Sequence, residues 1–292
     1  MSDLASAVFV LRPARPFEKR QFMGRAAHKL FLLMLAALDG DGPPRYANEA
    51  ARLHDQQAAL PVTVSDLFAS DPAHYWLRVT ALEPALAETL AQMVQALPNR
   101  AVVDGWQVVF GLLGSHDWAR QTTLADFVSA HWRMPPQPLT LEFATPTLLK
   151  SVGIDRLYPE PALVFKLLYE RLLKLPGLAL PFQPSVEAVE AFAGGLVSVA
   201  EYALTCETVT LKSGVTGFRG WASYTIHRSN DALLKRAEKR AALGDGAVLY
   251  DELQRSHAQY ARLMHLLAQF AFYSGLGRHT AQGLGMVRVI QR

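Results

Sequence analysis

Twice along the 292 residues the apolar spacing runs through one cycle: strand, helix, strand, strand, helix, strand. That order is the ferredoxin-like unit, and its repetition narrows the fold to an α+β chain of two such units in tandem. In the first cycle the spacing predicts a strand over Ala5–Leu11, ended by Pro13 and Pro16. A helix then runs from Glu18 with Phe22, Ala26, Leu30, Leu33 and Ala37 on one face, until the cluster Asp39-Gly40-Asp41-Gly42-Pro43-Pro44 stops it. A short polar helix over Ala47–Gln57 follows, then strands at Pro61–Ser65 and Tyr75–Leu82. Pro84 and Pro98 bracket a helix over Ala85–Leu97, and Val102–Leu113 reads as the closing strand.

A short helix over Thr122–Trp132 leads to Met134-Pro135-Pro136-Gln137-Pro138, which reads as a linker. The second cycle consists of a strand over Leu139–Leu149, a helix over Pro161–Leu175, and a strand pair, Tyr202–Leu211 and Phe218–Ile226, turning at Ser213-Gly214. A long helix over Tyr250–Tyr273, with Leu253, Tyr260, Met264, Leu267 and Ala271 as its apolar stripe, and a last strand over Met286–Ile290 complete it. The expected domains are residues 1–133 and 139–292, each close to the common domain size.

Composition supports a globular chain: 50% of residues are apolar and 19% charged. The longest apolar run, Leu30 to Leu38, lies between Lys29 and Asp39 and is far shorter than the ~20 residues a membrane span needs. The start, Met1-Ser2-Asp3-Leu4, lacks the basic residues of a secretory signal, so a cytoplasmic location and no membrane partner are expected. The single cysteine, Cys206, excludes an internal disulfide and a cysteine-cluster metal site, and reads as a packed strand residue rather than a nucleophile.

Net charge is only +3, but 21 of the 29 basic residues are arginine, and no acid occurs from Leu253 onward. That stretch holds Arg255, Arg262, Arg278, Arg288 and Arg292 with His257, His265 and His279, a one-signed segment suited to a polyanion.

The most specific local feature is Gly275-Leu276-Gly277-Arg278-His279-Thr280-Ala281-Gln282-Gly283-Leu284-Gly285. A dinucleotide fingerprint is excluded: the run follows a helix, Thr280 stands at the third-glycine position, and no acid follows. A phosphate loop of the nucleotidase type is excluded by the lack of Gly-Lys-Ser/Thr. Two readings remain. Either the backbone N–H groups of Gly275, Gly277, Gly283 and Gly285 donate to phosphate beside Arg278 and His279, or the run is a helix end with a tight turn.

Several segments together resemble one family. Phe270-Ala271-Phe272-Tyr273-Ser274-Gly275-Leu276-Gly277 and the residues to Val287 are similar to the C-terminal glycine-rich signature of the CRISPR-associated repeat-RNA endoribonucleases, the Cas-six family of RAMP proteins. Gly217-Phe218-Arg219-Gly220-Trp221-Ala222-Ser223-Tyr224 resembles the family's central hairpin. Ala144-Thr145-Pro146-Thr147 with Tyr158 to Phe165 resembles the start of its second domain, and Leu53-His54-Asp55 with Pro61 to Leu67 its histidine-bearing helix and next strand.

The resemblance implies two ferredoxin-like domains and cleavage of CRISPR precursor RNA within its repeats, without metal or cofactor. The ribose 2′-hydroxyl attacks the scissile phosphate and leaves a cyclic phosphate and a 5′-hydroxyl. Such chemistry needs a proton-transfer group and positive charge for the phosphorane. The resemblance places His54 at the family's catalytic histidine. His28, on the first helix, either faces the same cleft or is a packed helix residue. Leu60 stands where some members carry a lysine, and no tyrosine occurs between Phe17 and Asp39, so either His28 assists His54, or Arg52 or Arg25 supplies the charge.

No metal-ligand motif occurs. His257 and His265, at i and i+8, fit packing better than ligation. Arg228, Lys235, Arg236, Lys239 and Arg240 lie in a segment that reads as a solvated helix, and the resemblance makes them, with Arg219, candidates for contact with an RNA stem. The expected partner is repeat RNA, precursor or mature, with the protein a monomer or homodimer. The alternative reading is a catalytically silent RNA-binding subunit of a CRISPR effector complex.

Overall fold

The computed structural model describes residues 2–15, 17, 21–55, 61–133, 138–228 and 253–291. Residues 134–137 of the predicted linker 134–138, and the basic helix expected at 231–243 with Lys235, Arg236, Lys239 and Arg240, lie outside them.

The first sheet is built from β1 (Leu4–Pro13), β2 (Val62–Val64), β3 (Phe68–Ala69), β4 (Tyr75–Ala81), β5 (Val102–Val103), β6 (Trp106–Leu112) and β7 (Arg120–Thr122). The helices of this half are α1 (Gly24–Ala36), α2 (Arg45–Asp55), α3 (Pro84–Ala96) and α4 (Leu124–Arg133). The strand order β2-β4-β1-β6 is the ferredoxin-like one, extended by β5, with β3 on β4 and β7 on β1. Alternation along β1 sends Ala5, Ala7, Phe9 and Leu11 into a core with α1 and α3, while Leu4 and Val8 point the other way into the core of the second half.

The second half contains β8 (Leu139–Thr147), a β9–β10 hairpin (Leu149–Ser151, Ile154–Arg156), α5 (Pro161–Leu172), α6 (Val186–Leu196), β11 (Val197–Thr210), β12 (Gly214–Ile226), α7 (His257–Ser274) and β13 (Val287–Ile290). Its sheet runs β11-β12-β8-β13, the same order again. The chain is therefore two tandem ferredoxin-like folds. Phe143, Phe218 and Tyr224 of this sheet share a core with Phe165, Phe192, Tyr260 and Phe270 of the helices.

Several local expectations are corrected. Helix α1 starts at Gly24 rather than Glu18, and Ala26 and Leu33 face solvent; the buried face is Ala27, Leu30, Phe31, Met34 and Leu35. Its start is set by tertiary contacts, because Met23 N donates to Asp66 Oδ1 at 2.8 Å. The single strand expected over Val102–Leu113 is a hairpin, since Asp104 and Gly105 both take positive φ (50° and 80°) in a tight turn. The strand from Leu139 stops at Thr147, and α6 and the β9–β10 hairpin were not anticipated. Cys206 lies on a strand as expected but is exposed, not packed.

Helix α7 is buried nearly all round, Leu263, Leu266 and Phe272 as well as the predicted stripe, because it touches both sheets. The acid-free C-terminal segment is consequently not one charged surface. His265 is buried, and burial holds its pKa down at about 4. Arg288 faces Glu142 at 2.6 Å and Asp117 at 3.6 Å, while Arg255, Arg262 and Arg278 are exposed. No helix among the described residues is long and apolar enough to cross a membrane.

Candidate functional site

The polar helix α2 is held at both ends of its sequence. The Asp39 carboxylate accepts Tyr46 N at 2.8 Å and Ala47 N at 2.7 Å, occupying two of the free donors at its start. Leu53, with no exposed surface, anchors the other end, and His54 beside it projects to solvent.

His28 is one helical turn beyond Gly24 on α1. At Gly24 the helix lies against the second half so closely that a Cβ there would sit 1.9 Å from Gln282 O. The His28 ring is bonded to the Ala281 backbone, and its Nδ1 is covered without a hydrogen-bond partner. Burial lowers its pKa, the Ala281 bond partly opposes that, and the charge of His54 lowers it again. The two histidines lie on helices that pack against each other. His54 is the open member, and His28 is the half-buried member, its pKa lowered chiefly by burial.

Of the candidate cations, Arg52 is already matched: it bonds both carboxylate oxygens of Glu49 (2.6 and 2.8 Å) and lies 3.6 Å from Glu83. Arg25 reaches across to the second half, its Nη1 donating to Leu211 O at 3.3 Å.

The glycine-rich run forms the contact between the halves. Gly275, Gly277, Gly283 and Gly285 all have positive φ, the region that disfavours side chains. Gly275 N donates to Ala271 O, Gly283 N to Val64 O and Gly285 N to Pro146 O. Those N–H groups are therefore not available to phosphate, which corrects that part of the clamp expectation. What the missing Cβ atoms permit is approach of backbone to backbone: Gly277 to Leu148 O, Gly283 to Gly24, Gly285 to Leu276 O.

Arg278 does project from this loop, into a hollow of about 180 Å³ lined also by Lys150, Arg171, Lys174 and Glu170. Arg171 Nη1 donates to Thr280 Oγ1 at 3.1 Å, and burial lowers the guanidinium pKa to about 10, still charged at neutral pH. Sequence reasoning missed Lys150, Arg171 and Lys174. The available signal was two cations three residues apart at the end of an amphipathic helix, which also fits ordinary helix-end charge.

His279 takes a left-handed conformation, and burial followed by the Arg278 charge lowers its pKa. Arg219 lies in a different place, an open groove of about 340 Å³ between the halves with Gln21, Phe22, Asp66, Phe68 and Glu207. It pairs with Glu207 at 3.3 Å. Arg228 is exposed just beyond β12. Among the described residues no three His, Cys, Asp or Glu side chains form a group that could hold a metal ion.

The model of the family described as CRISPR-associated endoribonuclease Cas6 matches residues 141–287, half of the chain. This chain belongs to the Cas6 family. No curated protein matches it in sequence. Among solved structures, the Cas6 (TTHA0078) product complex is 24% identical over 99% of both chains, with a TM-score of 0.70. Thermus thermophilus Cas6 (TTHB231) is 19% identical over 99% of both, with a TM-score of 0.72. The product of a Cas6-related gene from Pyrococcus furiosus is 12% identical over 99% of both, with a TM-score of 0.54. At these identities the likeness is one of fold. It extends over both halves, so the Cas6 fold includes the first half, which the family model leaves unmatched.

Proposed function

We propose that this Cas6 protein cleaves CRISPR precursor RNA within its repeats by attack of the 2′-hydroxyl on the adjacent phosphate, without a metal ion. The 2′-oxygen forms a bond to phosphorus as the bond to the 5′-oxygen breaks, giving a 2′,3′-cyclic phosphate. The proton lost by the 2′-hydroxyl is balanced by one delivered to the 5′-oxygen. His54 is the group that moves a proton, because its ring is exposed where the covered ring of His28 is not. His28, half-buried against the Ala281 backbone on the neighbouring helix, is placed to assist it.

The observation that carries this reading is the packing of α1 on α2 beside the loop from the second half, with His54 left exposed there and His28 bonded to the Ala281 backbone. Arg25 offers charge to the phosphorane, and the hollow of Lys150, Lys174 and Arg278 offers sites for RNA phosphates, with Arg219 contacting RNA in the groove between.

The test is cleavage of repeat RNA in EDTA under single-turnover conditions. His54→Ala is expected to slow cleavage by about 10²–10⁴-fold with RNA affinity retained. Cleavage at the parent rate in that variant, or cleavage that EDTA stops, refutes the reading. Specific binding with no cleavage by the parent protein would favour the silent effector subunit.

A further inference from the structure

Arg78, in the middle of β4, is 2% exposed. Its neighbours Leu77 and Val79 point into the core under α1 and α3, so alternation sends Arg78 to the opposite face of the sheet. There it meets the end of α7. The guanidinium donates to Phe272 O of that helix, to Ser6 Oγ at 2.7 Å and to Trp118 O at 3.2 Å. Two residues on, Thr80 Oγ1 donates to Tyr273 O at 2.7 Å.

Carbonyls in the last turn of a helix have no partner within it and carry its negative pole. A cation and a hydroxyl from the other half of the molecule satisfy two of them. The guanidinium also lies 4.2 Å from the Phe272 ring centre and 5.1 Å from that of Trp118. Arg120 sits 4.7 Å from the Phe272 ring centre, and Arg288 4.4 Å from that of Trp118. Carbonyls, a hydroxyl and aromatic faces are the partners of this cation. Burial, with the charges of Arg120 and Arg288, lowers its pKa to about 9, so the cation persists at neutral pH.

The place of this contact gives it a consequence for the reaction. Gly275 follows directly on the capped turn, and the loop it begins carries Arg278 on one side and seats Gly283 N on Val64 O on the other. The β4 backbone joins the same assembly, since Ser65 N donates to Arg78 O at 2.8 Å and Ser65 bridges to Gly283.

We infer that Arg78, seconded by Thr80, is a positioning residue: it fixes the end of α7 on the first sheet, and so holds the RNA-binding hollow of the second half in register with the histidines of the first. This rests on the assignment of chemistry to the first half and phosphate binding to the second. Removing the lock leaves both sets of groups intact but misaligned, and misplacement of about 1 Å costs rate far more than affinity.

The experiment compares Arg78→Met, Arg78→Lys and Thr80→Val with the full-length parent, each checked for folding by circular dichroism. Three quantities are read: cleavage rate at saturating repeat RNA, RNA dissociation constant, and deuterium uptake of peptides spanning 275–285 against peptides from α3. Arg78→Met is expected to cut the saturated rate by about tenfold or more with affinity within about twofold. Uptake should rise in 275–285 alone, Thr80→Val should act in the same direction more weakly, and Arg78→Lys should recover part of the rate.

If Arg78→Met does not fold, the lysine and Thr80 variants carry the test. A folded variant with unchanged uptake in 275–285, or one that cleaves at the parent rate, overturns the inference. So does a loss of affinity that accounts for the loss of rate. If His54→Ala cleaves normally, the assignment of chemistry fails instead, and the uptake measurement still decides whether Arg78 holds the loop.

Discussion

Gly24 and Gly283 meet face to face, Cα against a would-be Cβ at 2.8 Å, with Gln282 O closer still to Gly24. A methyl group at Gly24 has the Gln282 backbone in its way as well as the Phe22 ring, so α1 or the loop must move. Gly24→Ala is expected to cost about 1–3 kcal/mol in denaturant unfolding, the usual penalty of overpacking. A stability equal to the parent's would mean that this contact is loose.

The same residues show how far a motif can be read. Four glycines in eleven positions announce that something approaches the backbone closely. They do not announce whether it is a phosphate or another strand of the same chain, because both need the same missing Cβ. His28 is a similar case: its helix was evident, but its neighbour at Ala281 lies 253 residues away and is brought there only by the fold. His54 was singled out only by the resemblance, since nothing in an exposed histidine on a polar helix distinguishes it from a solvated one.

Elements were read best where the pattern was local. Pro84 and Pro161 start α3 and α5 as expected, because proline at the first turn acts without help from the rest of the chain. Helix α1 was placed but turned by about one residue. Its run Leu30-Phe31-Leu32-Leu33-Met34-Leu35 is apolar on every side, so periodicity alone cannot choose its inner face. The two faces are separable by experiment. Leu30→Ala is expected to cost about 2–5 kcal/mol and Leu33→Lys within about 0.5 kcal/mol. Equal losses at both sites would restore the face that spacing suggested. Helix α7 was misjudged for the opposite reason: its stripe was correct, but a second sheet covers the side that a two-layer domain would leave in water.

At the scale of the whole molecule, the cations that line one hollow come from three separate stretches, at 150, 171–174 and 278. Counting charge along the chain could not assemble them, and the acid-free C-terminal segment that drew attention sends His265 inward and Arg288 to carboxylates. RNA affinity is expected to fall with salt, and Lys150→Ala, Lys174→Ala and Arg278→Ala should each flatten the dependence by about one phosphate contact. Unchanged slopes in all three would place the RNA elsewhere.

The contact between β4 and the end of α7 also orders events in time. A ribosome making this chain releases Arg78 long before Phe272 and Tyr273, whose carbonyls it binds. Until about two hundred further residues have emerged, the first sheet waits with a charged side chain on an open face, shielded from wrong apolar partners by its own hydration. The last helix then joins the two halves.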